Sequence, residues 1–88
     1  MPTISVFFGI VVQMYWRDHP PPHLHAFYQG FEALFALEDG ALIAGDLPPA
    51  AKRIVRAWIA DRKDELLANW QRARNSAPLE LIPGADQQ

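Results

Sequence analysis

The chain has 88 residues, half of them apolar, with a formal net charge of −2 and no cysteine. This length predicts one small domain with a single core, and the absence of cysteine excludes disulfides, a thiolate nucleophile and any cysteine-ligated zinc or iron–sulfur site. No apolar run is long enough to cross a bilayer, and the apolar N-terminus lacks the basic residues of a signal peptide. We therefore expect a cytoplasmic protein with no membrane partner.

Charge is distributed unevenly along the chain. Residues 49–75 hold seven of the eight basic residues and only three of the ten acidic ones, so this segment is positive and the remainder is negative. A protein that binds nucleic acid through bulk electrostatics would usually be basic overall. Separated charge instead favours a partner of complementary charge.

The N-terminal third predicts two strands. β-Branched and aromatic residues fill residues 4–8 and 10–16, and Gly9 between them predicts a tight turn or bulge; the alternative is a single strand bent at Gly9. Side chains alternate between the two faces of a strand, so every second residue of the second strand should face the core. These core positions are Ile10, Val12, Met14 and Trp16.

Three further strands are predicted at residues 23–28, 31–37 and 41–44. Gln29-Gly30 and Asp39-Gly40 separate them, and Asp-Gly between apolar runs is a strong hairpin signal because a type I′ turn needs positive φ at both central residues. The pattern predicts a meander of four or five antiparallel strands.

The C-terminal half predicts helix from about residue 49, opened by Asp46 as a cap and by prolines in the first turn. The apolar stripe shifts by a quarter turn or more after residue 60, which predicts a kink or break within residues 60–64. Pro78 ends the helical part, and residues 79–82 are compatible with an edge strand. We expect one α+β domain over residues 1–84, a small antiparallel sheet packed by one long kinked helix or two consecutive helices, and a disordered tail at 85–88.

The segment His-Pro-Pro-Pro-His-Leu-His, residues 19–25, contains all three histidines and three of the eight prolines. The prolines predict a stiff, extended connector, because each fixes φ and excludes the preceding residue from the α region. A strand that begins at His23 would place His23 and His25 on the same face, with Cα atoms roughly 6.5 to 7 Å apart. That arrangement suits a divalent metal, a pair of acid/base groups, or two structural histidines.

The sequence resembles the bacterial DUF4160 family, a domain of unknown function. The resemblance covers nearly the whole chain, and its specific part is Asp18-His19 followed by Pro21-Pro22-His23-Leu24-His25, with Pro20 at a position where a polar residue is expected. Members of that family look like toxins of two-gene toxin–antitoxin pairs. The resemblance therefore implies a type II toxin neutralised by a small protein antitoxin encoded by an adjacent gene, and a homo-oligomer is compatible with it.

As a metal-free ribonuclease, the chain would need a base, an acid and a cation for the phosphate. The candidate catalytic residues are Arg17, Asp18, His19, His23 and His25. The histidines would transfer protons, Arg17 would hold the phosphate and Asp18 would orient an imidazole. No cofactor is required by this reading.

The alternative readings are a small metal-dependent hydrolase and a non-catalytic protein-binding module with structural histidines. For a metal such as zinc, His23 and His25 supply two ligands, and a third would come from His19 or a carboxylate. The candidate carboxylates are Asp18, Glu32 and Asp46. A basic ridge is also predicted if the helix is unbroken, as a solvated face or a docking surface for an acidic antitoxin or phosphates; it consists of Lys52, Arg56, Lys63 and Arg74.

Overall fold

The structure is a computed structural model that describes residues 2–87. Its elements are β1 (Thr3–Phe7), β2 (Ile10–Gln13), β3 (His23–Tyr28), β4 (Phe31–Ala36), β5 (Leu42–Gly45), α1 (Pro49–Asp61) and α2 (Lys63–Arg74). The five strands form one sheet in the order β1-β2-β3-β4-β5, and every neighbouring pair is antiparallel. The predicted α+β fold with an antiparallel meander is confirmed.

Two tight turns set the register of the sheet. Phe8 and Gly9 join β1 to β2, and Gln29 and Gly30 join β3 to β4. All four residues have positive φ, between 46° and 84°, as a two-residue type I′ hairpin turn requires. The chain therefore forms a hairpin at Gly9 and not a single bent strand.

The first strand pair is shorter than the sequence predicts, because β2 ends at Gln13. The chain then leaves the sheet and contacts the end of α2, where the Trp16 indole N–H donates to the carbonyl of Ala77 at 2.8 Å. Trp16 is 45% exposed, so its predicted core position is wrong. Alternation predicts a face only while the strand continues.

Both helices pack against one face of the sheet and form a single core with it. Four members of the core are bulky aromatic side chains: Phe7, Phe35, Trp58 and Trp70. The most deeply buried large side chains are Trp70, Phe7, Phe35, Ile4, Ile10, Met14, Leu24, Leu37, Ile59 and Leu66. Four of the ten aromatic residues are thus buried in the core, and three others are exposed: Phe8, Trp16 and Phe31.

The helical part is divided at Arg62, within the predicted range of residues 60–64. Arg62 has φ −112° and ψ 24°, outside helical geometry, and its guanidinium donates to Glu65 at 3.0 Å. The helix begins without a side-chain cap: Asp46 accepts instead from the backbone N–H of Leu47 and pairs with Lys52. The predicted capping role of Asp46 is therefore wrong.

The C-terminal segment runs beside β1 without forming a strand. The backbone N–H of Ile82 donates to the carbonyl of Ile4, and the Ser5 hydroxyl donates to the carbonyl of Ile82, both at 2.8 Å. Asn69 holds the same segment to α2: its amide donates to the carbonyl of Glu80 and accepts from the N–H of Glu80. One fully buried side chain thus satisfies both backbone groups of a residue outside regular structure.

The end of the chain forms a turn in which the backbone N–H of Gln87 donates to the carbonyl of Gly84. Gln88, the last residue of the predicted tail, lies outside the described residues. Among residues 2–87, neither helix is long and apolar enough to cross a bilayer.

We predict that Asn69→Ala lowers the free energy of unfolding by about 2 to 3 kcal/mol, because it leaves two backbone groups of Glu80 without partners in a part-buried setting. Chemical denaturation followed by tryptophan fluorescence measures this loss. Asn75→Ala, on an exposed position at the end of the same helix, is the matched control. A loss below about 0.5 kcal/mol for Asn69→Ala, in the range of ordinary surface substitutions, would contradict a stabilising role for the two hydrogen bonds between Asn69 and Glu80.

Candidate functional site

The site begins with the alternation of side chains on β3. Leu24 and Ala26 are fully buried in the core under the helices, so His23 and His25 lie on the opposite side of the strand. The centroids of the two imidazole rings are 5.2 Å apart. β3 begins at His23, as the sequence predicts, and the histidines are neighbours for that reason.

Asp18 joins the two histidines. Its Oδ2 lies 2.9 Å from Nε2 of His23 and 3.3 Å from Nε2 of His25. Its Oδ1 accepts the backbone N–H of His19 at 2.8 Å, which fixes the carboxylate at the start of the proline connector. One carboxylate oxygen is therefore shared by two imidazoles, and we call Asp18, His23 and His25 the Asp-His-His cluster.

His23 is the more constrained of the two histidines. It is 6% exposed, and its ring packs against Trp70 with centroids 5.3 Å apart. Its Nδ1 lies 2.9 Å from the carbonyl oxygen of Pro21. A carbonyl only accepts, so Nδ1 carries the proton, an assignment that follows from the hydrogen-bond partner.

His25 has a looser environment. Its Nδ1 is buried but makes no hydrogen bond within residues 2–87, and it lies 3.6 Å from Oε2 of Glu32. Tyr15 meets the ring edge-on with centroids 4.5 Å apart, and the Tyr15 hydroxyl donates to Gln13. His25 thus has one nitrogen directed at Asp18 and one nitrogen without a firm partner.

The electrostatics of the site centre on Asp18. Burial by itself would raise the pKa of Asp18, but the hydrogen bonds from the His19 backbone N–H and from His25, with the charge and hydrogen bond of His23, outweigh it and lower this pKa below its ordinary value. The pKa of Tyr15 is raised by burial first and then by the negative charges of Glu32 and Asp18. The cluster therefore favours a charged carboxylate and a neutral phenol.

Three other predicted site residues lie outside the cluster. The side chain of His19 is exposed, and only its backbone takes part in the site. Asp46 is engaged with Lys52 at 2.8 Å. Arg17 donates to the hydroxyl of Ser76 at 2.9 Å and lines an open pocket of about 300 Å³ with Asp18, Pro20 and Arg74.

The predicted basic ridge is divided by the break at Arg62. Lys52 and Arg56 belong to α1, whereas Lys63 and Arg74 belong to α2. Arg74 instead faces the same pocket as Arg17 and Asp18. Arg17 and Arg74 therefore line the same open pocket as Asp18.

Sequence reasoning missed Tyr15, Gln13 and Trp70 as residues around the cluster. Gln13 is directly opposite His25 in the β2–β3 ladder, and Tyr15 follows two residues later on the chain. This cross-strand register depends on how the nine-residue connection between β2 and β3 folds, and no local pattern predicts it. Trp70 reaches His23 from a helix nearly fifty residues away.

The cluster can perform two kinds of chemistry. Two imidazoles on one carboxylate can transfer protons at neutral pH. Alternatively, one oxygen and two nitrogens directed to one point can hold a divalent cation. Both uses require the carboxylate of Asp18.

Comparison with known proteins gives a family but no activity. The model of a family described as a domain of unknown function, DUF4160, matches residues 9–71, a range that includes the whole cluster. No curated protein and no solved structure gave a significant match to the chain.

Asp18 should make stability depend on pH in the acid range. Because its pKa is lowered from 3.8 in the folded protein, its contribution is complete above that value and is lost as pH falls through the folded pKa. We predict that Asp18→Asn is less stable than the wild type at about pH 5 and that this difference shrinks steadily towards about pH 2. Urea denaturation across this range measures the difference.

The matched control is Asp86→Asn, which removes an exposed carboxylate that makes no hydrogen bond with the described residues. Its stability should follow that of the wild type throughout the range. A difference between Asp18→Asn and the wild type that is constant or grows towards low pH would contradict a lowered pKa for Asp18.

Proposed function

From the premise that this chain belongs to the DUF4160 family, we propose that it is the toxin of a bacterial type II toxin–antitoxin pair. It acts in the cytoplasm and is neutralised by a small protein antitoxin encoded by the adjacent gene. Its target is RNA, and the Asp-His-His cluster is the centre through which it acts. The observation that carries this proposal is the carboxylate oxygen of Asp18, shared by two imidazoles beside an arginine-lined pocket.

RNA cleavage suits these groups because the substrate brings its own nucleophile. The 2′-hydroxyl loses a proton, its oxygen attacks phosphorus, and the 5′-oxygen leaves and takes up a proton. The transition state carries extra negative charge on the phosphate oxygens, which cations stabilise. The cluster provides the proton transfer or a metal that replaces it, and Arg17 and Arg74 provide the charge.

A protein antitoxin is supported by the surface. Several large apolar side chains are exposed on a domain of only 88 residues: Val6, Phe8, Trp16, Phe31, Leu42, Ile43 and Leu81. A contiguous patch of such side chains would be typical of a binding surface. The separated charge of the chain adds electrostatic selectivity for one partner.

The second candidate function is a non-catalytic binding module, and one observation favours it. His23 is almost fully buried, with both nitrogens close to oxygen atoms, as expected of a structural histidine. In that case the exposed apolar surface alone would carry the function. The two candidates differ in whether the cluster is needed once the protein is folded and bound.

Growth on induction of the gene tests the proposal. We predict that the wild type arrests growth and depletes cellular RNA, and that co-expression of the neighbouring gene restores both. His25→Gln and Asp18→Asn should reduce RNA cleavage by about a hundred-fold or more, because each removes a group required for proton transfer or metal binding. Both variants should still bind the antitoxin in a pull-down. Asp86→Asn, which is remote from the cluster, should remain toxic.

Absence of a growth defect with the wild-type protein would contradict the toxin proposal. Persistent toxicity of folded His25→Gln and Asp18→Asn proteins, checked by circular dichroism, would instead favour the binding module.

A further inference from the structure

We propose that the Asp-His-His cluster is a binding site for one divalent transition-metal cation, represented by Zn²⁺. This inference concerns binding and does not rest on the proposed action on RNA. Among residues 2–87, Asp18, His23 and His25 are the three that each bring a ligand atom within 4.8 Å of the others. They provide two imidazole nitrogens and one carboxylate oxygen, the ligand types found in zinc sites that retain an open position.

The distances between the ligand atoms match a small cation. Zinc bonds to nitrogen and oxygen of about 2.0 to 2.1 Å in a tetrahedron place neighbouring ligand atoms about 3.3 Å apart. In the structure, Oδ2 of Asp18 is 2.9 Å from Nε2 of His23 and 3.3 Å from Nε2 of His25. Both distances are within a few tenths of an ångström of that spacing.

The proton on His23 provides the second argument. The Pro21 carbonyl accepts a hydrogen bond from Nδ1–H, so Nε2 of His23 faces the carboxylate of Asp18 either as a second N–H donor or with the lone pair that a metal would bind. A lone pair facing a carboxylate is repulsive. A metal between them removes the repulsion, and a backbone carbonyl behind the ring is how metal-binding histidines are usually oriented.

His25 is arranged in the same way. Its Nε2 points at Asp18, and its buried, unpartnered Nδ1 lies 3.6 Å from the carboxylate of Glu32. A small shift of the exposed Glu32 side chain would complete a carboxylate–histidine–metal arrangement. Each histidine thus has an oxygen acceptor behind the ring and the shared oxygen of Asp18 in front.

The ligands are held in place before any metal binds. β3 anchors both histidines through buried Leu24, and Oδ1 of Asp18 is fixed by the backbone N–H of His19. Such preorganisation reduces the entropy lost on binding. The mixed nitrogen and oxygen ligands favour Zn²⁺ and its first-row neighbours over Mg²⁺, which prefers oxygen ligands.

The rival explanation is a doubly protonated His23 that forms an ion pair with Asp18. It satisfies both nitrogens of His23 without a metal, but it leaves Nδ1 of His25 without a hydrogen bond. The two explanations predict opposite outcomes when metal is added to the protein.

The test is calorimetric titration of Zn²⁺ into the untagged, chelator-treated full-length protein, with Mg²⁺ as the comparison cation. We expect one Zn²⁺ per chain, no measurable binding of Mg²⁺, and a melting temperature raised by about 10 °C at a hundred-fold excess of Zn²⁺ over its dissociation constant. Co²⁺ should give the visible absorption of a tetrahedral or five-coordinate site.

The variants assign the ligands. His23→Gln, His25→Gln and Asp18→Asn should each weaken Zn²⁺ binding by at least about a hundred-fold, because each removes one of three ligands. His19→Ala is the matched control, since it removes the one histidine whose side chain lies outside the cluster, and it should bind as the wild type does.

Circular dichroism before titration shows whether each variant is folded, and Co²⁺ absorption of the folded variants gives a second measure of the site. Absence of Zn²⁺ binding by the wild type would overturn the proposal and leave the ion pair, whatever the result of the growth test. Equal binding by the wild type and His25→Gln, or loss of binding in His19→Ala alone, would overturn the assignment of ligands.

Discussion

The packing of Leu24 and Ala26 into the core fixes the position of the cluster. Side chains on a strand alternate, so these two apolar residues determine that His23 and His25 share the opposite side of β3. A slip of one residue in the β2–β3–β4 register would exchange the faces of the sheet on which the two imidazoles and the two apolar side chains lie. Burial of apolar side chains thus fixes the position of the two imidazoles on β3. Because β3 pairs with a strand on each side, this part of the site is held by the sheet.

The end of α2 controls the third member of the cluster. The two residues before Asp18 both bind the end of α2 or the residues that follow it. The backbone N–H of Arg17 donates to the carbonyl of Ala73 at 3.2 Å, and the indole N–H of Trp16 donates to the carbonyl of Ala77. Trp70, on the same helix, packs against the ring of His23. The carboxylate and one imidazole are therefore both held by α2, so a partner that moved the end of this helix would alter the cluster without touching it.

Local patterns predict most of the fold and part of the site. β-Branched runs, glycine turns and the shift of the apolar stripe give the five strands and the break at Arg62, because each depends on neighbouring residues alone. The proximity of His23 and His25 follows from alternation within one strand. By contrast, the positions of Trp16, Tyr15 and Trp70 do not follow from local patterns, because their contacts depend on where separate segments meet. The predicted cap at Asp46 is wrong because its carboxylate binds Leu47 and Lys52 instead. Local patterns also do not predict which of the three candidate carboxylates, Asp18, Glu32 or Asp46, contacts both histidines, because this depends on how the connection between β2 and β3 folds.

The two edges of the sheet differ in a way that limits self-association. Residues near Ile82 cover the outer side of β1, whereas β5 is exposed at all four positions and has no neighbour beyond it among residues 2–87. Backbone groups on an open edge are free to pair with another strand. If two copies paired through β5 about a twofold axis, each would present only its covered edge outward. The segment near Ile82 would then leave no open sheet edge on the pair, and edge pairing would end at a dimer.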